Sequence, residues 1–227
     1  SDGMRRTAAF VAAALLIAGC QQQVSAKERV VAAPAAKLAA AETEGLKAAI
    51  FAGGCFWGVE GVFSHLKGVN SAVSGYHGGK AADAKYKIVS AGSTRHAEAV
   101  RVVYDPKVIR YDQLLRVFFS VVADPTLRDR QGPDVGTQYR AALVPLSEEQ
   151  RRVAAAYLTQ MDASGLWPSR IVTRIEGYRK FYPAEASHQD FMAANPDHPY
   201  IRRWDAPKVA ALKRLYPGLY SADFKKG

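Results

Sequence analysis

From residue 46 onward, hydrophobic and polar positions fall into recognisable periods. Residues 46–52, "LKAAIFA", form a short apolar run suited to a buried strand, and Gly53-Gly54 permits a sharp turn behind it. Val59, Val62, Phe63 and Leu66 then recur at helical spacing, with His65 and Lys67 in the last turn and Gly68 as a stop. The pattern predicts a helix whose first turn holds Cys55. Gly58 and Gly61 cost that helix about 1 kcal/mol each relative to Ala, which is tolerable if another backbone approaches closely. Residues 96–105, "HAEAVRVVYD", alternate as a strand that puts Glu98, Val100, Val102 and Tyr104 on one face. Further on, "YDQLLRVFFSVV" reads as an amphipathic helix, and "QYRAALVPL" and "RIVTRIE" read as strands. "SEEQRRVAAAYLTQM" reads as a helix whose Ser147 and Gln150 carry a capping-box signal. Spacing alone does not choose the topology that joins these elements.

The chain before residue 46 has a different character. Ser1–Gly3 read as an expression scar ahead of Met4. Arg5 and Arg6 then lead into "TAAFVAAALLIAG", an apolar run shorter than the roughly 20 residues a membrane span needs. This is the pattern of a signal peptide. Its end, Ile17-Ala18-Gly19-Cys20, is similar to a bacterial lipobox, which predicts that Cys20 is lipidated and that the protein is exported and membrane-anchored in the cell envelope. Residues 20–45, Ala-rich and without an aromatic side chain, are expected to serve as a flexible tether reaching roughly 80 Å when fully extended. Residues 46–227 are then one domain.

Composition narrows the picture only modestly. With 48% hydrophobic and 23% charged residues among 227, the chain is ordinary globular protein. The net charge of +10 is scattered, with no basic run beyond two residues, so a nucleic-acid partner is not expected. The five histidines show no metal-ligand spacing and a lone thiol supplies one ligand, so no metal is expected.

The two cysteines carry more information. With Cys20 lipidated, Cys55 is the remaining thiol; a Cys20–Cys55 bridge would need the tether to fold back. At a helix N-terminus, unpaired N–H groups stabilise an anion, so the position predicts a lowered thiol pKa. Phe56 and Trp57 are either core residues or the walls of a small apolar pocket over the sulfur. Glu98 is either an edge charge or a buried acid with a raised pKa, able to donate a proton near Cys55.

Five ordered stretches, "AGGCFWGVE", "GYHGG", "HAEAVRVVYDP", "DRQGPDVGTQYRAAL" and "FYPAEASHQDF", resemble the motifs of the A-class peptide methionine sulfoxide reductases across roughly residues 46 to 202. The resemblance implies a two-layer α+β sandwich around a mixed sheet, with a ferredoxin-like core and an irregular C-terminal tail. It implies Cys55 as nucleophile, Glu98 as the acid near the sulfoxide oxygen, Tyr86 and Tyr139 as hydrogen-bond donors to that oxygen, Phe56 and Trp57 as the methyl pocket and Asp134 as a polar member of it. The substrates implied are free methionine S-sulfoxide and oxidised proteins, taken by a monomer. Ala141 stands where a serine is usual, and Ser187 and Phe191 stand where tyrosines are common, which leaves the role of His188 open. The tail lacks the further cysteines of many family members. An external thiol, thioredoxin-like, glutaredoxin-like or small, would therefore regenerate Cys55 from its sulfenic acid, and no bound cofactor is expected. A peroxide-reducing peroxidase is the alternative enzyme, and a lipid-anchored binding module with an inert Cys55 is the non-enzymatic one.

Overall fold

The computed structural model describes residues 30–227. The expected signal peptide and lipidation site at Cys20 lie outside them. The apolar run before Gly53-Gly54 forms β1 (Lys47–Gly53), followed by α1 (Phe56–Phe63) and β2 (Val69–His77). Next come the short α2 (Tyr86–Ser90) and β3 (Ala97–Tyr104), and then α3 (Tyr111–Val117), which runs on into a π-turn at Phe118–Val122. β4 (Arg130–Gln131) and β5 (Asp134–Val135) make a small hairpin ahead of β6 (Ala141–Val144) and the long α4 (Glu148–Ser164). β7 (Arg174–Ile175), β8 (Phe181–Pro183), α5 (Phe191–Ala194), a π-turn at Ile201–Asp205 and α6 (Ala206–Leu215) complete the order.

Six strands form one mixed sheet in the order β7-β6-β1-β3-β2-β8, parallel between β6 and β7 and antiparallel elsewhere. This is the α+β arrangement of a sheet carrying helices that the resemblance implies. Register decides where chemistry can collect. β1 and β3 run antiparallel with Phe51 opposite Val100, so the end of β1, which leads to Cys55, lies beside the beginning of β3, which holds Glu98. Ala141 of β6 faces Gly53, and Tyr76 of β2 faces Glu98. Four strand ends thus meet around one spot.

The alternation along β3 sorts its side chains as expected. Val100, Val102 and Tyr104 join the main core with Val59, Val62 and Phe63 of α1, whereas Ala97 and Ala99 join Ile50, Ala52 and Phe181 on the opposite face. The α4 N-terminus is capped by Ser147, whose hydroxyl accepts from Gln150 N at 3.1 Å. The Gln150 side chain reaches Leu146 N, one residue beyond the N-cap, and donates to Ala48 O, tying the helix to β1.

Residues 30–45 correct the expectation of a flexible tether. They lie against the body as an ordered strap. Ala33 N donates to Ser120 Oγ at 3.0 Å, Arg116 Nε donates to Ala33 O at 2.8 Å, and Tyr157 donates its hydroxyl to Pro34 O at 2.8 Å. Further along, Ala40 N donates to Asp112 Oδ1 at 2.8 Å. Glu42 accepts from Tyr111 N and from the Tyr104 hydroxyl. The alanine-rich composition, which buries little area per side chain, is what lets the backbone approach: Ala33 and Ala40 are both buried in the core. Several hydrogen bonds at a net ~1 kcal/mol each make the strap worth about 3 kcal/mol or more. A chain that starts at residue 46 should therefore melt about 6–12 °C lower by calorimetry; an unchanged midpoint would mean the strap contributes nothing.

Candidate active site

Cys55 is the N-cap of α1, at φ −54°, ψ 123°. It follows Gly54, whose φ of +89° belongs to the left-handed region and whose missing Cβ would lie 2.7 Å from Gln131 Cβ. The turn is therefore closed to other residues by both backbone and space. Gly58 and Gly61 are small for a reason other than the expected backbone approach. A Cβ at Gly58 would meet Asp205 Oδ1 at 2.3 Å, and one at Gly61 would meet Met192 Cε at 2.2 Å. Side chains, one of them a buried carboxyl, press on this face of the helix.

The first-turn amides are divided among three acceptors. Phe56 N donates to Glu98 Oε1 at 2.9 Å, Gly58 N donates to Cys55 O at 3.3 Å, and Trp57 N–H acts on the Cys55 sulfur. One amide alone is left to stabilise a sulfur anion. Against it stand burial first, then the charges of Glu98, Asp205 and Asp134, and together they push the Cys55 thiol well above its ordinary value. In the unliganded protein the surroundings of Cys55, which is itself half-buried, thus act against the lowered thiol pKa expected from the helix terminus. The carboxyl group takes the amide that the thiolate would have needed.

Glu98 is the buried acid that its place on the strand allowed. Burial pushes its carboxyl up to about 8, against the pull of Phe56 N–H, with Asp134 adding to the rise. Because Phe56 N–H occupies Oε1, the proton of the neutral acid belongs on Oε2, where it is available for donation.

Aromatic rings line the site. Phe56 is fully buried, with its ring centroid 5.7 Å from Tyr76 and 6.2 Å from Tyr86. Trp57 stacks on Phe191 at 3.7 Å and 7°, and Tyr86 stacks on His188 at 3.9 Å. Burial first, then Glu98 and Cys55, raise the Tyr86 hydroxyl to about 12. Tyr139 closes a 3₁₀ turn (Thr137–Tyr139), and its hydroxyl is likewise raised by burial and then by Glu98. Asp134, at the start of β5, accepts a hydrogen bond from the Tyr200 hydroxyl; burial raises its carboxyl. All seven site residues read from the sequence in this domain therefore share one neighbourhood.

His188 takes a supporting place. Trp57 Nε1 donates to His188 Nδ1 at 3.1 Å, which fixes Nδ1 as an acceptor and keeps the imidazole neutral, and burial lowers its pKa. Phe191, where the family commonly has tyrosine, supplies the flat partner of Trp57, while Ser187 is exposed. The neighbouring Gln189 acts as a piece of strand. Its Oε1 accepts from Ser74 N at 2.9 Å and its Nε2 donates to Ser74 O at 2.8 Å. Glu60 joins the same loop to α1, accepting from Ser74 Oγ at 2.6 Å and from Asp190 N at 2.8 Å.

Several site neighbours have no counterpart in the sequence reading. Tyr200 sets its ring edge-on to Trp57 at 5.7 Å and binds Asp134. Glu185 accepts from the Tyr76 hydroxyl at 2.6 Å and from Tyr86 N at 2.9 Å, anchoring the first residue of α2. Asp205 presses on Gly58. The late segment "HPYIRRWDAPK" carries no periodic signal that would have linked Tyr200 and Asp205 to a cysteine some 150 positions earlier, although Glu185 lies inside a quoted motif.

A cysteine beside a buried carboxylic acid, in a bowl of aromatic rings, is the arrangement of a thiol enzyme with a proton donor at hand. Comparison with known proteins narrows the class. The family model described as peptide methionine sulfoxide reductase matches residues 47–217. A relative from Mesorhizobium japonicum, "Peptide methionine sulfoxide reductase MsrA 2", is 54% identical over 177 residues, covering 78% of this chain and 91% of its own. One of the same name from Synechocystis is 46% identical, covering 76% and 80%. Among solved structures, reduced Mxr1 from Saccharomyces cerevisiae is similar with a TM-score of 0.59 and 34% identity, covering 67% of this chain and 87% of its own. Methionine sulfoxide reductase A of Corynebacterium diphtheriae has a TM-score of 0.57 and 33% identity, covering 68% and 77%. The chain belongs to the peptide methionine sulfoxide reductase family, enzymes that use a thiol to reduce methionine sulfoxide.

Proposed function

We propose that Cys55 is the nucleophile and Glu98 the general acid, acting on the S-epimer of methionine sulfoxide, with Tyr86 and Tyr139 completing the grip on its oxygen. The observation that carries this reading is the Phe56 amide shared with Glu98: it couples the buried acid to the residue next to the thiol. A sulfoxide sulfur accepts a nucleophile only when its oxygen is protonated or strongly hydrogen-bonded. Glu98 Oε2–H supplies that proton as the Cys55 sulfur bonds to the substrate sulfur, and the thiol proton replaces the one that Glu98 gives up. The site therefore stays neutral overall. The thioether then leaves, reduced by two electrons, and the oxygen ends on Cys55 as sulfenic acid, oxidised by two. Phe56 and Trp57 hold the methyl group, and Asp134, fixed by Tyr200, faces the same bowl.

Regeneration falls to an external thiol. Cys55 is the one cysteine among the described residues, and the whole chain has two. A thioredoxin-like protein fits this role: one of its thiols attacks the sulfenic sulfur with release of water, and its second thiol opens the mixed disulfide and returns Cys55 as a thiol. Residues 4–20 support export and lipid attachment at Cys20, which would place the enzyme on the cell-envelope side of a membrane.

Single turnover without reductant should release one methionine per protein and leave Cys55 one oxygen atom heavier by mass spectrometry. The Cys20→Ser variant should keep full multiple turnover with dithiothreitol or thioredoxin. Loss of recycling in that variant, or a Cys20–Cys55 disulfide after turnover, would overturn the single-cysteine cycle.

A further inference from the structure

Beside the Thr137–Tyr139 turn lies a groove of about 490 Å³ that the chemistry above does not use. Arg95, Arg128, Arg140 and Arg174 line it, against the carboxylates of Asp129 and Glu176. Four arginines facing two acids leave two positive charges in excess. Arg140 is committed internally. Its guanidinium binds both Glu176 oxygens, at 2.7 and 3.3 Å, and donates to Thr137 O at 2.9 Å and Arg95 O at 3.0 Å. Arg95, Arg128 and Arg174 are exposed, and none makes an ion pair among the described residues. An adjoining hollow shares Arg95, Arg140 and Glu176 and adds His77 and Arg179, which prolongs the basic strip.

The groove draws on segments that lead to the site, though its lining includes none of the site residues themselves. Ala141, in its wall, pairs with Gly53, two residues before Cys55, and Thr137, also in its wall, opens the turn that Tyr139 closes. A polypeptide whose oxidised methionine sits over Cys55 extends about 3.3–3.6 Å per residue, so its nearby residues reach this strip. The three available guanidiniums come from three separate segments and do not belong to one loop. That spread suits successive carboxylates of an extended chain better than a single phosphate, and the planar fork of arginine matches carboxylates.

We propose that this groove binds acidic side chains flanking methionine sulfoxide in a protein client. The inference rests on the reductase reading of Cys55. That reading is checked separately by turnover of N-acetyl-methionine sulfoxide. Two peptides of equal length, each with one methionine S-sulfoxide, are compared with dithiothreitol as reductant: one carries glutamates and the other lysines at flanking positions on both sides. At low ionic strength the acidic peptide should have a kcat/KM about tenfold higher, as three exposed charge pairs would give. The ratio should collapse towards one in about 0.5 M salt. The Arg95→Ala, Arg128→Ala, Arg174→Ala triple variant should lose the preference, with its fold followed by thermal melting; Arg128→Glu alone should reduce it. Equal rates for the two peptides in the wild type, or an unchanged ratio in the variants, would overturn the proposal. So would variants that keep the ratio but lose turnover with thioredoxin, because the groove would then serve the reductant.

Discussion

Glu98→Gln should lower kcat/KM for methionine S-sulfoxide by about 10²–10⁴-fold, the range set by removing a positioned general acid. Glutamine keeps the shape and can still meet Phe56 N–H through its carbonyl oxygen, so melting should change little and the loss should be chemical. The pH profile distinguishes this from a structural effect. In the free wild-type enzyme the Glu98 carboxyl is held up to about 8 by burial, so the proton donor is present below that value and is lost as pH rises through it. The wild-type kcat/KM should accordingly fall on the alkaline side near pH 8. In Glu98→Gln that limb should disappear. A variant with near-normal rates and the same limb would assign the acid role elsewhere.

The second large effect concerns Cys55 itself. With its surroundings raising its pKa, Cys55 of the free enzyme should be a thiol rather than a thiolate at neutral pH. Iodoacetamide should alkylate it at least about tenfold more slowly than free cysteine at pH 7. The rate should climb about tenfold per pH unit into the alkaline range, with no plateau near neutrality. A plateau below pH 7 would show a resident thiolate and would contradict the electrostatics described above. Such a thiol is also a slow target for hydrogen peroxide, which favours sulfoxide reduction over the peroxidase alternative.

Much of this arrangement was legible along the chain because it is local. The glycine pair, the helix spacing after Cys55 and the alternation of residues 96–104 each report on a few neighbouring positions, and the elements form where those signals lie. Glu98 could be placed on a strand face, but its burial depends on β1 and β2 lying on either side, which no local pattern states. The thiol pKa went the other way for a related reason. Helix N-terminal donors are visible from sequence; their prior commitment to a carboxyl 42 positions away is a matter of register. Tyr200 and Asp205 reach the site through tertiary packing alone. In the strap, low side-chain volume suggests a lack of structure, whereas close packing of the backbone is what small residues permit.

That strap also sets a distance. With residues 30–45 fastened to the body, a lipid on Cys20 would leave only residues 21–29 between bilayer and enzyme, at most roughly 30 Å of chain. So anchored, the enzyme would patrol the membrane surface itself. Its catchment would be proteins lying on or emerging from that surface, and the soluble interior of the compartment would lie beyond its reach.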